Sequence, residues 1–307
     1  MKILVTGGTG FIGKHLVGAL VKKGYQVKVI ARNPQKAESV EKLGARVVIG
    51  DLGDGEFLRK ELAGFEVIYH LAAIPGQIWK IPWEEYEKVN VDFTKNLLKA
   101  AAKNKVEKFI FCSSIQAVDP STFYGKSKLE AEEAVRQSGL EYVIIRPGLV
   151  YGPGDKKAFL RICRLIKKGF FPLVDGGKAR LAIIFIDDLI NLFLQSLSPE
   201  VKNKMLWGIG EEIRYKNLAK IIGKELGKPY WQPSLPARLV KIMALPLEVI
   251  SSITGIRPLI TRAQVDFVTF DWHFSITKEE KKFCQPKVKF EEGVKKTVGW
   301  YREEGFL

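Results

Sequence analysis

The sequence predicts an α/β fold, in which a doubly wound parallel sheet is followed by a smaller, mostly helical part. Three observations support this. Short apolar runs alternate with helical patterns over the first half of the chain, a glycine-rich stretch joins the first run to the first helical pattern, and the rhythm changes after residue 150. Near-continuous apolar runs are typical of strands covered on both faces. Alternation of strand and helix favours right-handed crossovers within a parallel sheet.

The first half of the chain contains six predicted strands. In order they are KILVTG, QVKVIAR, ARVVIGDL, FEVIYHLAA, VEKFIFCSS and EYVIIRPG. Between them lie the helical patterns GKHLVGALVKKG, VNVDFTKNLLKAAAKN and GKSKLEAEEAVRQSG. We therefore expect residues 1–150 to form the sheet domain.

The second half of the chain has a different rhythm. Helical patterns such as AFLRICRLIKKG and KNLAKIIGKELG come with prolines and short strands. We expect residues 151–307 to form mainly a substrate-binding domain over the mouth of the sheet. Residues 181–197, which include IIFIDDLINLFLQSL, are expected to return to the first domain.

The composition limits the classes of partner and compartment. The chain of 307 residues has a net charge of +15, but its basic residues are spread along the chain. This favours a generally basic surface and a small-molecule substrate over a nucleic-acid site. Cys112, Cys163 and Cys284 are far apart, which favours a reducing cytoplasm over a disulfide framework. The three histidines lack metal-ligand spacing, so we expect no metal site.

The stretch VTGGTGFIG between the first strand and the first helix has four glycines in seven residues. In this position, glycines permit a tight turn and a close approach of the backbone to a pyrophosphate at the helix N-terminus. This predicts a dinucleotide-binding Rossmann fold. The expected cofactor contacts in this loop are Gly7, Thr9, Gly10, Phe11, Ile12 and Gly13.

The end of the second strand bears on the choice of cofactor. Dinucleotide sites usually have an acidic residue here that bonds the adenosine ribose. This chain has VIARNPQK instead, with Arg32 near that place. A guanidinium suits a 2′-phosphate, which favours NADP, with NAD as the alternative. Asp51 and Leu52, after the third strand, are expected beside the adenine.

The motifs together resemble those of the extended short-chain dehydrogenase/reductases, the NAD-dependent epimerase/dehydratase superfamily. The matching segments are TGGTGFIG, GDL, HLAA, VNV, CSS, YGKSK, RPGLVYGPGD, FIDDL and the closing GVKKTVGWYREEGFL. The resemblance implies an enzyme whose catalytic residues are Tyr124 and Lys128, with Ser114 and Asn90 in support. It also implies further cofactor contacts in HLAA and RPG, namely Leu71, Ala72, Ala73, Pro147 and Gly148, besides Tyr124 and Lys128 themselves.

The spacing within YGKSK fits this chemistry. Tyr124 and Lys128 lie one turn apart on a helix face, so the cation is expected to lower the phenol pKa from about 10. In the family the lysine also bonds the nicotinamide ribose. Tyr124 then exchanges a proton with the substrate oxygen, which Ser114 hydrogen-bonds, and Asn90 positions a water. Because only nine residues separate Ser114 from Tyr124, fewer than in sugar-nucleotide relatives, Ser113 is the alternative serine.

Two features indicate a branch of the family. Sugar-nucleotide epimerases usually have an asparagine before VYGP, where this chain has Leu149, and their Arg-Asp-Phe signal is missing. The chain is more similar to 3β-hydroxysteroid dehydrogenases and dihydroflavonol reductases. We expect an oxidoreductase acting on a lipophilic secondary alcohol or ketone. The alternatives are a nucleotide-sugar epimerase or dehydratase, and a non-catalytic NADP-binding redox sensor.

Residues 234–260 form an apolar segment with four charged residues and one internal proline, Pro246. Its charged residues are Arg238, Lys241, Glu248 and Arg257. The favoured interpretation is a pair of helices, broken at Pro246, that covers the substrate pocket. The alternative is peripheral contact with a membrane surface.

The resemblance also implies a homodimer, paired through the helices that start near Asn90 and Tyr124. Four apolar residues of these helices are candidates for the interface, and each could equally belong to the core: Phe93, Leu97, Leu129 and Val135.

Overall fold

The computed structural model describes residues 1–76, 78–256 and 258–307. Arg257, one of the four charged residues of the 234–260 segment, lies outside the described residues. Twelve strands are present in the described part of the chain: β1 (Lys2–Thr6), β2 (Gln26–Ala31), β3 (Arg46–Ile49), β4 (Val67–His70), β5 (Lys108–Cys112), β6 (Glu141–Pro147), β7 (Leu149–Tyr151), β8 (Leu173–Val174), β9 (Arg180–Phe185), β10 (Lys204–Gly208), β11 (Glu211–Arg214) and β12 (Ser234–Leu235).

The helices lie between these strands and after them. In chain order they are α1 (Phe11–Lys22), α2 (Pro34–Glu41), α3 (Gly55–Glu61), α4 (Trp83–Tyr86), α5 (Phe93–Lys103), α6 (Phe123–Arg136), α7 (Ala158–Lys167), α8 (Ile186–Gln195), α9 (Tyr215–Leu226), α10 (Ala237–Thr254), α11 (Arg262–Thr269), α12 (Lys278–Lys281) and α13 (Phe290–Glu303). A π-helical turn, Glu87–Asp92, joins α4 to α5, and a short 3₁₀ helix, Ile115–Val118, follows β5.

The chain divides into two compact units. The first comprises residues 1–147, 189–208 and 278–284, and contains a seven-stranded sheet in the order β10-β6-β5-β4-β1-β2-β3. Every neighbouring pair in this sheet is parallel. The prediction of a doubly wound parallel sheet is therefore confirmed, and the six predicted strands are β1 to β6.

The second unit comprises residues 148–188, 209–277 and 285–307. It contains a three-stranded sheet, β11-β9-β7, a two-stranded sheet, β12-β8, and helices α7, α9 to α11 and α13. The sequence placed the division at residue 150 and the return of the chain at residues 181–197. In the structure the returning segment is residues 189–208. The functional roles given to the two parts stay predictions.

The seventh strand of the main sheet, β10, was missed by the sequence analysis. It pairs in parallel with β6 although more than fifty residues separate the two strands. Its five residues, KMLWG, begin with a lysine and are too few to show a period. Only its pairing with β6 gives it an extended conformation, and that pairing is long-range.

The core of the first unit packs α3, α5 and α6 against the sheet. Phe93, Leu97 and Val135 are buried in this core, at 8%, 0% and 0% exposure. The core alternative therefore holds for these three, since a side chain buried within one chain has no surface to offer a second. Only Leu129 of the four candidates is partly exposed.

The prediction of two helices broken at Pro246 is wrong. Residues 237–254 form one helix, α10, with Pro246 inside it. Proline removes one backbone hydrogen bond, and on this exposed helix water can satisfy the carbonyl left without a partner. Among the described residues, none of the helices is both long enough and apolar enough to cross a bilayer.

Candidate active site

The carboxyl edge of the parallel sheet brings the predicted site residues together. The strand register pairs Thr6 with His70, His70 with Phe111, and Cys112 with Ile145. The residues that follow β1, β4, β5 and β6 therefore lie along one edge. In open α/β sheets ligands bind at this edge.

Helix α6 carries Tyr124 and Lys128 in its first two turns. Thr122 caps the helix by accepting a hydrogen bond from the backbone of Gly125 at 3.0 Å. A Cβ on Gly125 would collide with the carbonyl oxygens of Gln116 and Asp119. The glycine of YGKSK therefore lets the helix start directly against the 3₁₀ turn that follows Ser114. Tyr124 and Lys128 are both buried, at 9% and 2% exposure.

The two candidate serines have different partners. The side chain of Ser114 hydrogen-bonds the hydroxyl of Tyr124, and its Oγ accepts from the backbone of Gln116 at 3.2 Å. Ser113 instead donates to a carboxylate oxygen of Glu132 at 2.5 Å. The geometry therefore places Ser114, not Ser113, beside the phenol.

Lys128 is held under the end of β5. Its Nζ donates to the carbonyl oxygen of Cys112 at 2.7 Å and lies 4.1 Å from the ring centroid of Phe111. Burial lowers the pKa of Lys128 to about 8. A primary ammonium has three protons to donate, so the bond to Cys112 leaves capacity for a ribose hydroxyl.

The expected effect of Lys128 on the phenol is not what the structure shows. The pKa of Tyr124 is raised above its ordinary value, first by burial and then by the nearby Cys112 thiol, while hydrogen bonds from Ser114 and the Gly76 backbone lower it. The prediction of a lowered pKa is wrong because desolvation penalises the phenolate more than its neighbours stabilise it.

Asn90 lies in the π-helical turn, and its side chain ties two segments together. Its Oδ1 accepts from the backbone of Ile74 at 2.8 Å, and its Nδ2 donates to the Ile74 carbonyl at 3.2 Å and to Ser127 Oγ at 2.9 Å. The loop after β4 is thereby linked to α6. The water-positioning role of Asn90 stays a prediction.

A hydrogen-bonded chain through His70 was missed by the sequence analysis. The ring is fully buried, with Nδ1 2.6 Å from Thr6 Oγ1 and Nε2 2.8 Å from Thr94 Oγ1. Since Thr94 Oγ1 donates to the Asn90 carbonyl, it accepts from Nε2, and Nδ1 accepts from Thr6. Burial, with a smaller effect of the Lys128 charge, lowers the pKa of His70 to about 3. The neutral ring thus connects β1, beside the glycine loop, to Asn90.

A second missed feature is a buried ion-pair network on α6, one turn beyond Lys128. Glu132 has no exposed surface, and its carboxylate accepts from Arg146 at 2.6 and 2.7 Å, from Arg136 at 2.8 Å and from Ser113. These bonds hold the pKa of Glu132 below its ordinary value despite burial. The signal in the sequence was a glutamate four residues after Lys128, on the same helix face.

The glycine loop has the shape of a dinucleotide cradle. Gly7 has a φ of +72°, and a Cβ there would lie 2.6 Å from the backbone of Leu71 and Ala72. A Cβ on Gly13 would collide with the carbonyl oxygen of Gly7. Among the described residues, no side chain caps the start of helix α1 after Gly10, and its first turn contains no acidic residue. Its N–H groups suit a pyrophosphate. Thr9, Phe11 and Ile12 are partly buried in the same loop.

The remaining candidate residues are spread along the same sheet. Leu71, Ala72 and Ala73 follow β4, and the Leu71 and Ala72 amides donate to Thr6 at 3.1 and 3.3 Å. Arg32 is exposed after β2, and Asp51 is exposed after β3. The side chain of Leu52 packs in the core, so its backbone is what remains for a cofactor. Pro147 ends β6, and Gly148 follows it.

The family of the chain follows from its similarity to known proteins. Residues 3–210 match the NAD dependent epimerase/dehydratase family. The chain is 30% identical to a UDP-glucose 4-epimerase of Vibrio cholerae, over 96% of this chain and 94% of that protein. It is 27% identical to a 3-beta-hydroxysteroid dehydrogenase of Mycolicibacterium neoaurum, over 91% of this chain and 85% of that protein.

Solved structures agree in fold. A UDP-glucuronic acid 4-epimerase of Bacillus cereus, solved with UDP-glucuronic acid and NAD, superposes with a TM-score of 0.77 at 23% identity, over 99% of this chain and all of that one. Its similarity shows the fold alone. With the family match, the glycine cradle and the Ser114–Tyr124–Lys128 arrangement, the chain is a member of the NAD-dependent epimerase/dehydratase family, within the extended short-chain dehydrogenase/reductases, and is an enzyme.

Proposed function

We propose that the protein is an NAD(P)-dependent oxidoreductase that acts on a lipophilic secondary alcohol or ketone of steroid-like or flavonoid-like shape. The observation that carries this proposal is a set of three exposed apolar side chains in segments next to Tyr124. Ile78, Val118 and Phe123 are 37%, 38% and 42% exposed. Each comes from a segment next to Tyr124, and together they offer an apolar substrate a surface to bury.

The positions of these three residues follow from the contacts of the site. Phe123 precedes Tyr124, and Val118 ends the 3₁₀ helix that begins after Ser114. The Ile78 amide donates to the hydroxyl of Tyr86 at 2.8 Å, and that hydroxyl donates to the carbonyl of Gly76 at 2.7 Å. The backbone of Gly76 in turn hydrogen-bonds Tyr124.

The catalytic residues have distinct roles in this proposal. A bound nicotinamide would supply or accept the hydride. In the reductive direction Tyr124, neutral because of its raised pKa, gives its proton to the carbonyl oxygen of the ketone. Ser114 donates a hydrogen bond to that oxygen as negative charge develops on it. Lys128 holds the nicotinamide ribose, and Asn90 positions a water.

For the cofactor we propose NADP, with NAD as the alternative. Arg32 is exposed at the end of β2, where an acid would bond an NAD ribose. Fluorescence titration should give tighter binding of NADPH than of NADH, and Arg32→Asp should reverse the order. Arg46→Asp, on the neighbouring strand, is the matched control for a change of net charge. Equal or tighter binding of NADH by the wild type would refute the preference.

A nucleotide-sugar epimerase is the second candidate. It is favoured by the 30% identity to a UDP-glucose 4-epimerase over nearly the full length of both chains. An epimerase would retain its cofactor through purification and show no net turnover of it. A reductase would consume NADPH in proportion to the ketone reduced.

Calorimetry on the NADP-loaded protein distinguishes the two candidates. We expect measurable binding of steroid-like or flavonoid-like ketones and little binding of UDP- or dTDP-sugars. Micromolar affinity for a nucleotide sugar, with no affinity for the apolar ketones, would establish the epimerase instead. The membership in an enzyme family leaves the redox sensor without support, and we do not propose it.

Two further parts of the proposal concern assembly and location. We propose a cytoplasmic homodimer, with Leu129 as the one remaining candidate at its interface, and light scattering at micromolar concentration tests it. A single monomeric species would contradict the dimer.

We also propose peripheral contact of residues 234–260 with a membrane.

A further inference from the structure

The outer face of α10 and the loop after it form an exposed apolar ridge. Nine of the eighteen exposed large apolar side chains in the described part of the chain lie between residues 239 and 259. They are Leu239, Ile242, Met243, Leu245, Val249, Ile250, Ile253, Ile256 and Leu259. Ile253 and Leu259 are each 80% exposed. A concentration of this kind on a surface marks an interaction site.

The helix places its large apolar side chains outward. Its buried positions are Val240, Ala244 and Ser251, which are small or medium in size. Most of its isoleucines and leucines face solvent, in the reverse of the arrangement of an ordinary surface helix. The outward side chains contribute little burial free energy unless something covers the outer face of the helix.

The acids beside α10 are held in ion pairs, and Asp266 of α11 pairs with Lys241. The acid of α10, Glu248, is paired with Arg262, whose Nε and backbone amide donate to it at 2.8 and 2.7 Å. Arg161 of α7 donates to the carbonyl oxygen of Leu259 at 3.3 Å, which places α7 beside the tip of the ridge. Helix α7 has no acid within Ala158–Lys167. It carries or adjoins six exposed basic residues: Lys156, Lys157, Arg161, Arg164, Lys167 and Lys168.

We propose that the ridge docks the protein on a bilayer surface that carries anionic lipids. The exposed aliphatic side chains would enter the boundary between headgroups and acyl chains, and the cations of α7 would contact the lipid phosphates. The basic side chains of α7 match the charge of anionic headgroups, and this charge complementarity favours a lipid surface as the occupant. This docking rests on the membrane contact proposed above, and it specifies the residues that bind and the lipids they prefer.

Vesicle flotation with the full chain tests the docking. We expect binding to phosphatidylcholine vesicles that contain phosphatidylglycerol, weaker binding to phosphatidylcholine alone, and release by salt. The triple variant Ile253→Ser, Ile256→Ser and Leu259→Ser should bind both kinds of vesicle at least tenfold more weakly. Leu43→Ser, which replaces an exposed leucine of the first unit, should bind as the wild type does.

A charge variant separates the two contributions. Arg161→Gln with Arg164→Gln should reduce the preference for anionic vesicles at least fivefold and leave binding to neutral ones within about twofold. Circular dichroism confirms that each variant is folded. Flotation needs no substrate, so it tests docking separately from the proposed activity. A protein that fails the ketone assay can still bind vesicles, and a protein that reduces ketones can fail to bind them.

Two outcomes would overturn the inference. One is equal flotation of the wild type and the triple variant. The other is absence of vesicle binding in the wild type, with the triple variant changing from dimer to monomer in light scattering. In that case the ridge is covered by a second copy of the chain.

Discussion

At the scale of single residues, adjacent serines have unrelated tasks. Ser114 bonds the phenol of Tyr124, whereas Ser113 bonds the buried carboxylate of Glu132. Successive residues in extended backbone point to opposite sides, so one serine faces the site and the other faces the interior. Sequence alone left both open, because their neighbours along the chain do not distinguish them.

We predict that Ser114→Ala and Ser113→Ala separate catalysis from stability. Ser114→Ala should lower kcat at least tenfold with little loss of stability, since it removes a donor to the developing oxyanion. Ser113→Ala should retain most of kcat and lower the free energy of unfolding by about 1–3 kcal/mol, since it removes a partner of a buried charge. Ketone kinetics and urea unfolding measure the two effects. A larger kcat loss in Ser113→Ala would reverse the assignment.

Tyr124→Phe removes the proton donor but retains the ring. We expect kcat for the best ketone to fall at least about a hundredfold, in the range of general acid loss, while NADPH binding stays unchanged. Lys128→Met should weaken both, because this ammonium is proposed to hold the ribose. Stopped-flow hydride transfer and NADPH titration measure them. Near wild-type turnover in Tyr124→Phe would remove the tyrosine from the mechanism.

At the scale of elements, helix α6 is anchored by the two turns that follow Tyr124 and Lys128. Glu132 and Arg136 continue the four-residue spacing of Tyr124 and Lys128, and Glu132 joins the helix to β6 through Arg146. The helix is therefore fixed to the sheet one turn beyond Lys128.

Glu132→Ala should destabilise the protein by about 3–5 kcal/mol, because Arg146 would lose the carboxylate that compensates its charge. Glu130→Ala is the control on the same helix, since Glu130 pairs with exposed Lys126 at 3.8 Å and is expected to contribute less than about 0.5 kcal/mol. Urea unfolding measures both variants. Equal effects would show that the buried network contributes nothing beyond a surface pair.

Helix α1 offers a similar comparison at the glycine cradle. Gly13→Ala should weaken NADPH binding at least tenfold, because the new methyl group would force the Gly7 carbonyl away from its position. Gly18→Ala on the same helix meets only the side chain of Leu43, at 3.9 Å, and should bind NADPH as the wild type does. Titration with circular dichroism as a folding control tests this. Unchanged binding in Gly13→Ala would place the pyrophosphate elsewhere.

At the scale of the whole molecule, the buried neutral His70 makes stability depend on pH. Its folded pKa of about 3 lies below the ordinary value of 6.5. Between these values the unfolded chain binds a proton that the folded protein does not. The free energy of unfolding should therefore fall as pH decreases from about 6.5 toward 3, by at most about 1.4 kcal/mol per pH unit from this residue.

Urea unfolding at pH 7.5 and pH 5 measures this effect, with His70→Gln as the comparison. The variant is less stable at both pH values, but it should lose less stability between them than the wild type does. Equal losses would mean that other groups, such as the paired carboxylates, account for the whole dependence on acid.

The local pattern determined much of the fold. Apolar runs of four to seven residues and a glycine turn before an amphipathic helix specify six of the seven parallel strands and the cofactor loop, because these signals lie within neighbouring residues. The pair Tyr124 and Lys128 was found for the same reason, since its spacing is one helical turn.

Contacts between distant segments decided the rest. Strand β10 is extended because β6 lies beside it. Burial lowers the pKa of His70 and raises the pKa of Tyr124. In each case the deciding group lies far away along the chain, so the sequence carries no local trace of it. The same holds for α10: its composition is apolar by sequence, but only packing shows that the larger side chains face outward. Burial, desolvation and long-range pairing are properties of the folded chain. They determine which groups contact Tyr124 and Lys128, which the sequence motif alone does not show.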